Sequence, residues 1–127
     1  MSVNLTYQIK VTAKSIYVPE QSDPSASRYF FAYQIKIENT GQIGAQLLTR
    51  HWVIRDSNEK IETVNGEGVV GEFPTLAPGE SFEYTSAAAL ETSVGTMEGH
   101  YMMRAEDGQE FEATIPQFSL SVPRILH

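Results

Sequence analysis

Apolar and polar residues alternate with a period of two along much of this 127-residue chain. One parity is apolar in two early segments, at Leu5, Tyr7, Ile9, Val11 and Ala13 and again at Tyr29, Phe31, Tyr33, Ile35 and Ile37. Such alternation indicates half-buried β-strands, because successive side chains of a strand point to opposite faces of its sheet. No window shows a sustained apolar stripe of helical period. The chain is therefore predicted to be all-β.

Later segments extend this pattern. A third strand is expected over 44–55, with Leu48, Trp52 and Ile54 on one face and Leu47, His51 and Val53 on the other. A turn at 56–59 leads to a return strand over 60–65, and further strands are expected around Phe82 and Tyr84, at 100–105 and from Phe111 to Val122. Asp107-Gly108 predicts a hairpin turn, and the change of apolar parity across Pro116 predicts a bulge or an edge position.

The remaining segments are predicted as connections. Residues 18–27 and 66–79 are rich in turn-forming residues and are expected to be loops, and 87–94 is expected to form a helical turn or an irregular connection. Seven or more short strands with regular turns indicate one antiparallel β-sandwich of immunoglobulin-like or fibronectin type III-like form. Trp52 suits the core of such a sandwich.

Composition limits the class of protein. Hydrophobic residues make up 41% of the chain and charged residues 20%, as in globular proteins. The lack of cysteine excludes disulfides, a thiolate nucleophile and cysteine-ligated metals, and it fits a reducing cytoplasm. No segment has the layout of a signal peptide or the ~18 apolar residues of a membrane span. A cytoplasmic protein without membrane association is expected.

The net charge of −7 is unevenly distributed. Residues 56–112 contain 13 acidic residues against Lys60 and Arg104, whereas residues 1–55 contain three acidic and six basic residues. An acidic half repels phosphate backbones, so nucleic acid is not expected as a partner. Two interpretations remain, a solvated acidic face or a docking surface for a basic protein partner.

Gly66, Gly68 and Gly71 match the glycine spacing of a dinucleotide-binding fingerprint. That fingerprint requires a helix directly after the glycines, whose N-terminal amides face the pyrophosphate. Here Pro74 and Pro78 follow within a few residues, so no useful helix can form and a Rossmann site is rejected. The loop is either a structural turn with positive φ angles or an amide-lined concavity for a small anion such as pyrophosphate.

No catalytic or metal-binding constellation can be assigned from the remaining residues. His51, His100 and His127 lack metal-ligand spacing, and His51 and His100 could share a metal only as neighbours on paired strands in matching register. Hydrogen-bonded structural histidines are the favoured interpretation, so no metal, cofactor or catalytic residue is predicted. Phe30 is either covered by a loop or part of a binding patch.

Many ordered segments of the chain resemble the ApaG family, from about Tyr7 to Pro123. The resemblance is carried by VPEQS at 18–22, FAYQI at 31–35, RHWVIRD at 50–56, VNGEGVVG at 64–71, PTLAPGE at 74–80, FEYTS at 82–86, GTMEGHYMM at 95–103 and IPQFSL at 115–120. It implies a single ApaG domain over 1–127 with a fibronectin type III-like sandwich. The glycines Gly66, Gly68 and Gly71 agree with the family's motif.

The resemblance also has implications for function. Bacterial members are small cytoplasmic proteins associated, through gene neighbourhood, with diadenosine tetraphosphate hydrolysis and with cobalt and magnesium tolerance. In eukaryotes the domain is joined to an F-box adaptor and to a polymerase-interacting protein, which suggests protein binding.

The expected function is a non-enzymatic protein-binding module, with the loop at 19–27 and the acidic half as candidate surfaces. The alternative is a sensor of pyrophosphate or a dinucleoside polyphosphate, with Mg²⁺, through the loop from Gly66 to Gly71. A homodimer through an edge strand near Pro116 is also possible on this pattern.

Overall fold

A computed structural model describes residues 5–123, which form eight β-strands and two single-turn 3₁₀-helices. The 3₁₀-helices lie in the loop before β2, at Pro19–Gln21 and Pro24–Ala26. The strands are β1 (Ile9–Tyr17), β2 (Tyr29–Asn39), β3 (Ala45–Asp56), β4 (Ile61–Glu67), β5 (Thr75–Leu76), β6 (Ser81–Leu90), β7 (Val94–Ala105) and β8 (Glu110–Ser121).

The strands form two antiparallel sheets that pack face to face. The first has the order β1-β2-β6, and the second has the order β4-β3-β7-β8, with β5 paired to the start of β3. This arrangement confirms the predicted all-β sandwich. The likeness to immunoglobulin or fibronectin type III domains in particular remains a prediction.

The core lies between the sheets and follows the predicted alternation. On β2 the odd-numbered side chains Phe31, Tyr33, Ile35 and Ile37 are buried, as expected. Trp52 is 2% exposed, and its ring lies edge-on to Tyr33, Tyr101 and Phe118 at centroid distances of 5.5, 6.4 and 6.0 Å. Burying large side chains of this kind stabilises the fold by roughly 1.5–3 kcal/mol each.

A bulge in β3 makes the predicted facing of Leu47 and Leu48 wrong. The pairing of β3 with β7 shifts register between Leu47 and Thr49, so one additional residue is inserted there. Leu47 consequently shares the inner face with Trp52 and Ile54, and Leu48, predicted on that face, is only half-buried. His51 and Val53 lie on the opposite, outer face as predicted.

The predicted bulge near Pro116 is confirmed. Met97 pairs with Phe118 and Gly99 with Ile115, so β8 has one residue more than β7 between these pairs. The strand is also an edge of its sheet. The Asp107-Gly108 turn between β7 and β8 is likewise present, with Gly108 at φ +88°.

Several predicted boundaries were wrong, among them the start of the strand expected at 100–105, which begins at Val94. The first strand begins at Ile9 rather than Leu5, because residues 5–8 bend alongside the 40–42 turn. Gly66 and Glu67 extend β4, and β5 interrupts the expected loop at 66–79. Residues 87–90 continue β6 instead of leaving the sheet, because the small side chains of Ala88 and Ala89 fit opposite the bulky Phe31 and Phe30 of β2.

The two long sides of the sandwich differ. On one side β1 and β8 lie next to each other, and the Ser15 hydroxyl donates to the Ser119 carbonyl at 2.7 Å. On the other side, no hydrogen bond joins the edge strands β4 and β6, both of which lie entirely within the described residues. We call this second side the open side.

Candidate functional site

The predicted glycine loop is a tight hairpin at the end of β4. Val69 and Glu72 exchange backbone hydrogen bonds of 2.8 and 2.9 Å around the two turn residues Val70 and Gly71. Both turn residues have positive φ, +45° and +80°, which defines a turn of the type I′ class. The chain makes a β-hairpin here and no helix, in agreement with the rejection of a Rossmann site.

The hairpin's backbone amides are largely used within the protein. Gly68 donates to the Leu48 carbonyl at 2.9 Å, and Val69 and Glu72 bond each other. Gly66 lies in β4 opposite Arg50, whereas Gly71 occupies the tip. Binding of pyrophosphate at Gly66, Gly68 and Gly71 therefore remains a prediction that this geometry leaves untested.

Arg50 lies beside the hairpin, a position that the sequence pattern did not single out. Its Nη1 donates to the carbonyls of Glu67 and Gly68 at 2.9 and 2.8 Å. A Cβ atom on Gly66 would lie 2.5 Å from the guanidinium carbon, so glycine is needed for this close approach. Among the ion pairs of residues 5–123 none includes Arg50.

The open side exposes one long backbone edge. Among residues 5–123, β6 is paired along its full length with β2 and on that side only. On β2, Asn39 N–H donates toward β6, to Glu80, whereas Thr40 N–H donates toward β1, to Gln8. The side to which the backbone N–H points alternates along a strand, so the odd-numbered residues of β2 bond β6. Their partners in β6 are the even-numbered residues. The N–H groups of the odd-numbered residues Thr85, Ala87 and Ala89 therefore point away from the sheet.

Apart from Glu83 near its start, this edge lacks the features that usually prevent strand pairing. Charged residues, proline and bulges protect exposed edges in natural proteins. Strand β8 has Pro116 and a bulge, β1 has two lysines and lies against β8, and β4 has Glu62 and Glu67. By contrast, β6 contains no charged residue, proline or glycine from Tyr84 to Leu90.

A cleft of about 440 Å³ lies at one end of the open side. It is lined by apolar Ile54 and Leu90 and by charged side chains at its rim, Arg28, Asp56, Lys60, Glu62 and Glu91. The Lys60 ammonium bonds the Glu91 carboxylate at 2.8 Å across the opening, and this bond raises the pKa of Lys60. The cleft therefore offers apolar contact inside, with three acidic and two basic side chains at the rim.

Two buried tyrosines lie between the sheets near Arg50. The hydroxyls of Tyr84 and Tyr101 are 2.5 Å apart and are each other's partners. Burial raises the pKa of Tyr84 to about 12, and burial together with Tyr84 raises the pKa of Tyr101 further. Both hydroxyls are therefore neutral at physiological pH, and this pair acts as a structural hydrogen bond.

His51 and His100 are close together, as the hypothesis of a shared metal required. His51 on β3 lies directly opposite His100 on β7, and their rings stack with centroids 5.1 Å apart. His127 lies outside the described residues. No group of three or more histidine, aspartate or glutamate side chains within residues 5–123 is arranged to hold a metal ion.

Two other predicted features have definite positions. Phe30 is half-buried, and its backbone N–H donates to the Ser22 hydroxyl oxygen at 2.9 Å. The Arg28 guanidinium lies 5.8 Å from the centroid of the Phe30 ring. The 19–27 loop thus contacts Phe30 at its backbone.

No helix within residues 5–123 is long and apolar enough to cross a membrane.

The fold and these surfaces define a small antiparallel β-sandwich protein with a glycine hairpin beside an open side. A family model described as "ApaG domain" matches residues 19–105. The chain belongs to the ApaG family, which confirms the resemblance found in its sequence.

Named relatives agree with this assignment over the full chain. Protein ApaG of Thiobacillus denitrificans is 57% identical over 127 residues, and protein ApaG of an Azoarcus species is 55% identical, with 100% of both chains covered in each case. The crystal structure of an ApaA protein from Bordetella pertussis is 50% identical, with a TM-score of 0.91 over 94% of this chain and 98% of that chain.

Proposed function

We propose that this protein is a non-enzymatic, cytoplasmic binding module whose open side takes up an extended basic segment of a partner protein. The segment adds to β6 as a further strand and forms main-chain hydrogen bonds, a recurring mode of peptide recognition. The observation that carries this proposal is the ten-residue β6 edge, which no other described strand pairs and which is uncharged from Tyr84 to Leu90.

Charge favours a basic segment over an acidic one. Glu80 and Glu83 lie beside and on β6 with no ion pair to the described residues, and Glu91 and Glu62, both ion-paired with Lys60, lie at the cleft. Complementary charge steers association and suppresses wrong partners. Alternate side chains of an added strand point to opposite faces, so apolar residues would enter the cleft while lysine or arginine residues reach the carboxylates at the rim.

A synthetic octapeptide with alternating lysine and valine tests this proposal. At about 3.3 Å per residue it matches most of the β6 edge. We expect binding to the intact protein, measured by fluorescence anisotropy at low salt, and at least tenfold weaker binding by Ala87→Pro. That substitution removes an outward-pointing N–H and leaves the pairing with β2 intact.

Ala87→Val is the matched control, because it changes the same side chain but retains the N–H. It should bind the peptide within about threefold of the original chain, since valine suits an exposed strand. Equal affinity of Ala87→Pro and Ala87→Val would contradict strand addition at β6. Equal affinity for a glutamate–valine octapeptide would contradict the charge preference.

A sensor of pyrophosphate or a dinucleoside polyphosphate remains the second candidate. The observation in its favour is Arg50, a half-buried guanidinium beside Gly66 that has no carboxylate partner within residues 5–123. Arginine suits phosphate recognition because its planar donors match phosphate oxygens. Saturable amide shifts confined to residues 66–72 on adding pyrophosphate and Mg²⁺ would favour this candidate over strand addition.

A further inference from the structure

We propose that His51 and His100 form a binding site for one late first-row divalent ion, such as Zn²⁺, on the outer face of the second sheet. The two residues are direct cross-strand partners on β3 and β7, and their ring centroids are 5.1 Å apart. This arrangement meets the condition of neighbouring strands in matching register that the sequence alone left open.

The ring separation suits a shared ion. Zinc binds imidazole nitrogen at about 2.0–2.1 Å, usually in tetrahedral geometry, which places the centres of two ligating rings on the order of 5 Å apart. The observed centroid distance is of this size. Both rings are partly exposed, so the His100 ring can turn toward an ion while Asn65 holds the ring of His51.

A hydrogen bond prepares His51 as a ligand. Its Nδ1 lies 2.5 Å from Oδ1 of Asn65, its cross-strand partner on β4. An amide oxygen only accepts, so Nδ1 carries the hydrogen and Nε2 bears the lone pair. Ligating histidines generally donate their second ring N–H in this way, which fixes the tautomer and the ring orientation.

Two carboxylates and one guanidinium lie beside the histidines. The Glu112 carboxylate lies 3.7 Å from Nε2 of His100, and Glu67 lines the same shallow depression of about 420 Å³ as the two histidines. The same depression is also lined by uncharged Thr49 and Asn65 and by Arg50, whose Nη1 donates to the main-chain carbonyls of Glu67 and Gly68. Two imidazoles with nearby carboxylate oxygen favour zinc, nickel or copper over magnesium or calcium, with water completing the coordination.

The test is a titration of the ¹⁵N-labelled full chain with Zn²⁺, followed through the imidazole ¹H–¹⁵N signals. We expect saturation at one equivalent, with the ring signals of His51 and His100 shifting together. In the metal-free protein, His51 should show the tautomer protonated at Nδ1. His51→Ala and His100→Ala should each weaken binding at least tenfold, and Asn65→Ala by about tenfold.

His127→Ala is the control, because it removes the chain's third histidine and should leave the affinity unchanged. The amide spectrum of each variant verifies that it is folded. Undiminished Zn²⁺ binding by His51→Ala or by His100→Ala, shifts only at His127, or equal competition by Mg²⁺ would each overturn the proposal. So would a tautomer of His51 protonated at Nε2.

Discussion

At the scale of single residues, Val70 has an unfavourable backbone. Its φ of +45° lies in the left-handed region, where β-branched residues are true outliers, and its side chain is 57% exposed. Strain of this kind persists where the surroundings impose it. Here the two hydrogen bonds between Val69 and Glu72 close the hairpin around it.

Val70→Asn should therefore stabilise the protein. Asparagine tolerates the left-handed region, and Asn-Gly is the preferred pair for this turn. We expect the free energy of unfolding, measured with urea, to rise by about 1 kcal/mol. Gly71→Ala is the opposite control, because it places a side chain at φ +80° in open space and should cost about 1 kcal/mol. A loss of stability in Val70→Asn would contradict this explanation.

The Tyr84–Tyr101 pair predicts how stability depends on alkaline pH. The raised pKa values mean that the folded state retains protons that the unfolded chain loses above about pH 10. The stabilisation is thus complete below the unfolded pKa and falls as pH rises toward 12, by up to about 1.4 kcal/mol per pH unit for each tyrosine.

Tyr84→Phe should remove part of this pH dependence. It should also cost about 1–3 kcal/mol at neutral pH, because the Tyr101 hydroxyl loses its buried partner. Urea unfolding at several pH values from 8 to 11.5 measures both effects. If the decline of stability above pH 10 were as steep in the variant as in the original chain, Tyr84 would not be its source.

At the scale of strands, the close packing of β3 against β7 depends on Gly99. A Cβ atom there would lie 1.9 Å from the His51 carbonyl oxygen and 3.1 Å from the Trp52 Cα, so the two strands would have to separate. Gly99→Ala should therefore destabilise the fold by roughly 1–3 kcal/mol or more in urea unfolding.

Gly108→Ala is the matched control for Gly99→Ala. Gly108 lies in the β7–β8 turn at φ +88° with open space around it, so only the backbone preference is lost, about 1 kcal/mol. An equal loss in the two variants would show that contact between β3 and β7 does not limit the substitution. A larger loss in Gly99→Ala is expected, together with shifted His51 and His100 signals.

Strands also show what the sequence could predict. Alternation placed Phe31 to Ile37 and Trp52 in the core because side-chain parity is a local property. A bulge is visible in sequence only when the parity changes at a marked residue, as at Pro116. The bulge at Leu48 has no such marker, because apolar residues occur on both faces of that segment.

The candidate sites were less predictable than the fold, because they depend on pairing between distant segments. That His51 faces His100 follows from the register of β3 with β7, which neither segment specifies alone. Arg50 was missed because its partners are main-chain carbonyls of the hairpin, which have no signature in sequence. The open β6 edge likewise emerges only once the strand order is known.

At the scale of the whole molecule, the two sides of the sandwich have different properties. The β1–β8 side is closed by neighbouring strands, whereas the β4–β6 side combines a free backbone edge, a cleft and acidic groups. The net charge of −7 opposes pairing of two identical β6 edges and favours a basic segment instead. The homodimer predicted through the edge near Pro116 remains a prediction.

The most direct measurement is an amide ¹H–¹⁵N titration of the labelled chain with the lysine–valine octapeptide. We expect saturable shifts that are largest at Thr85, Ala87 and Ala89, whose N–H groups point outward, and smaller at the alternate residues bonded to β2. Shifts confined to the 66–72 hairpin or to the 19–27 loop, with β6 unchanged, would contradict strand addition at the open side.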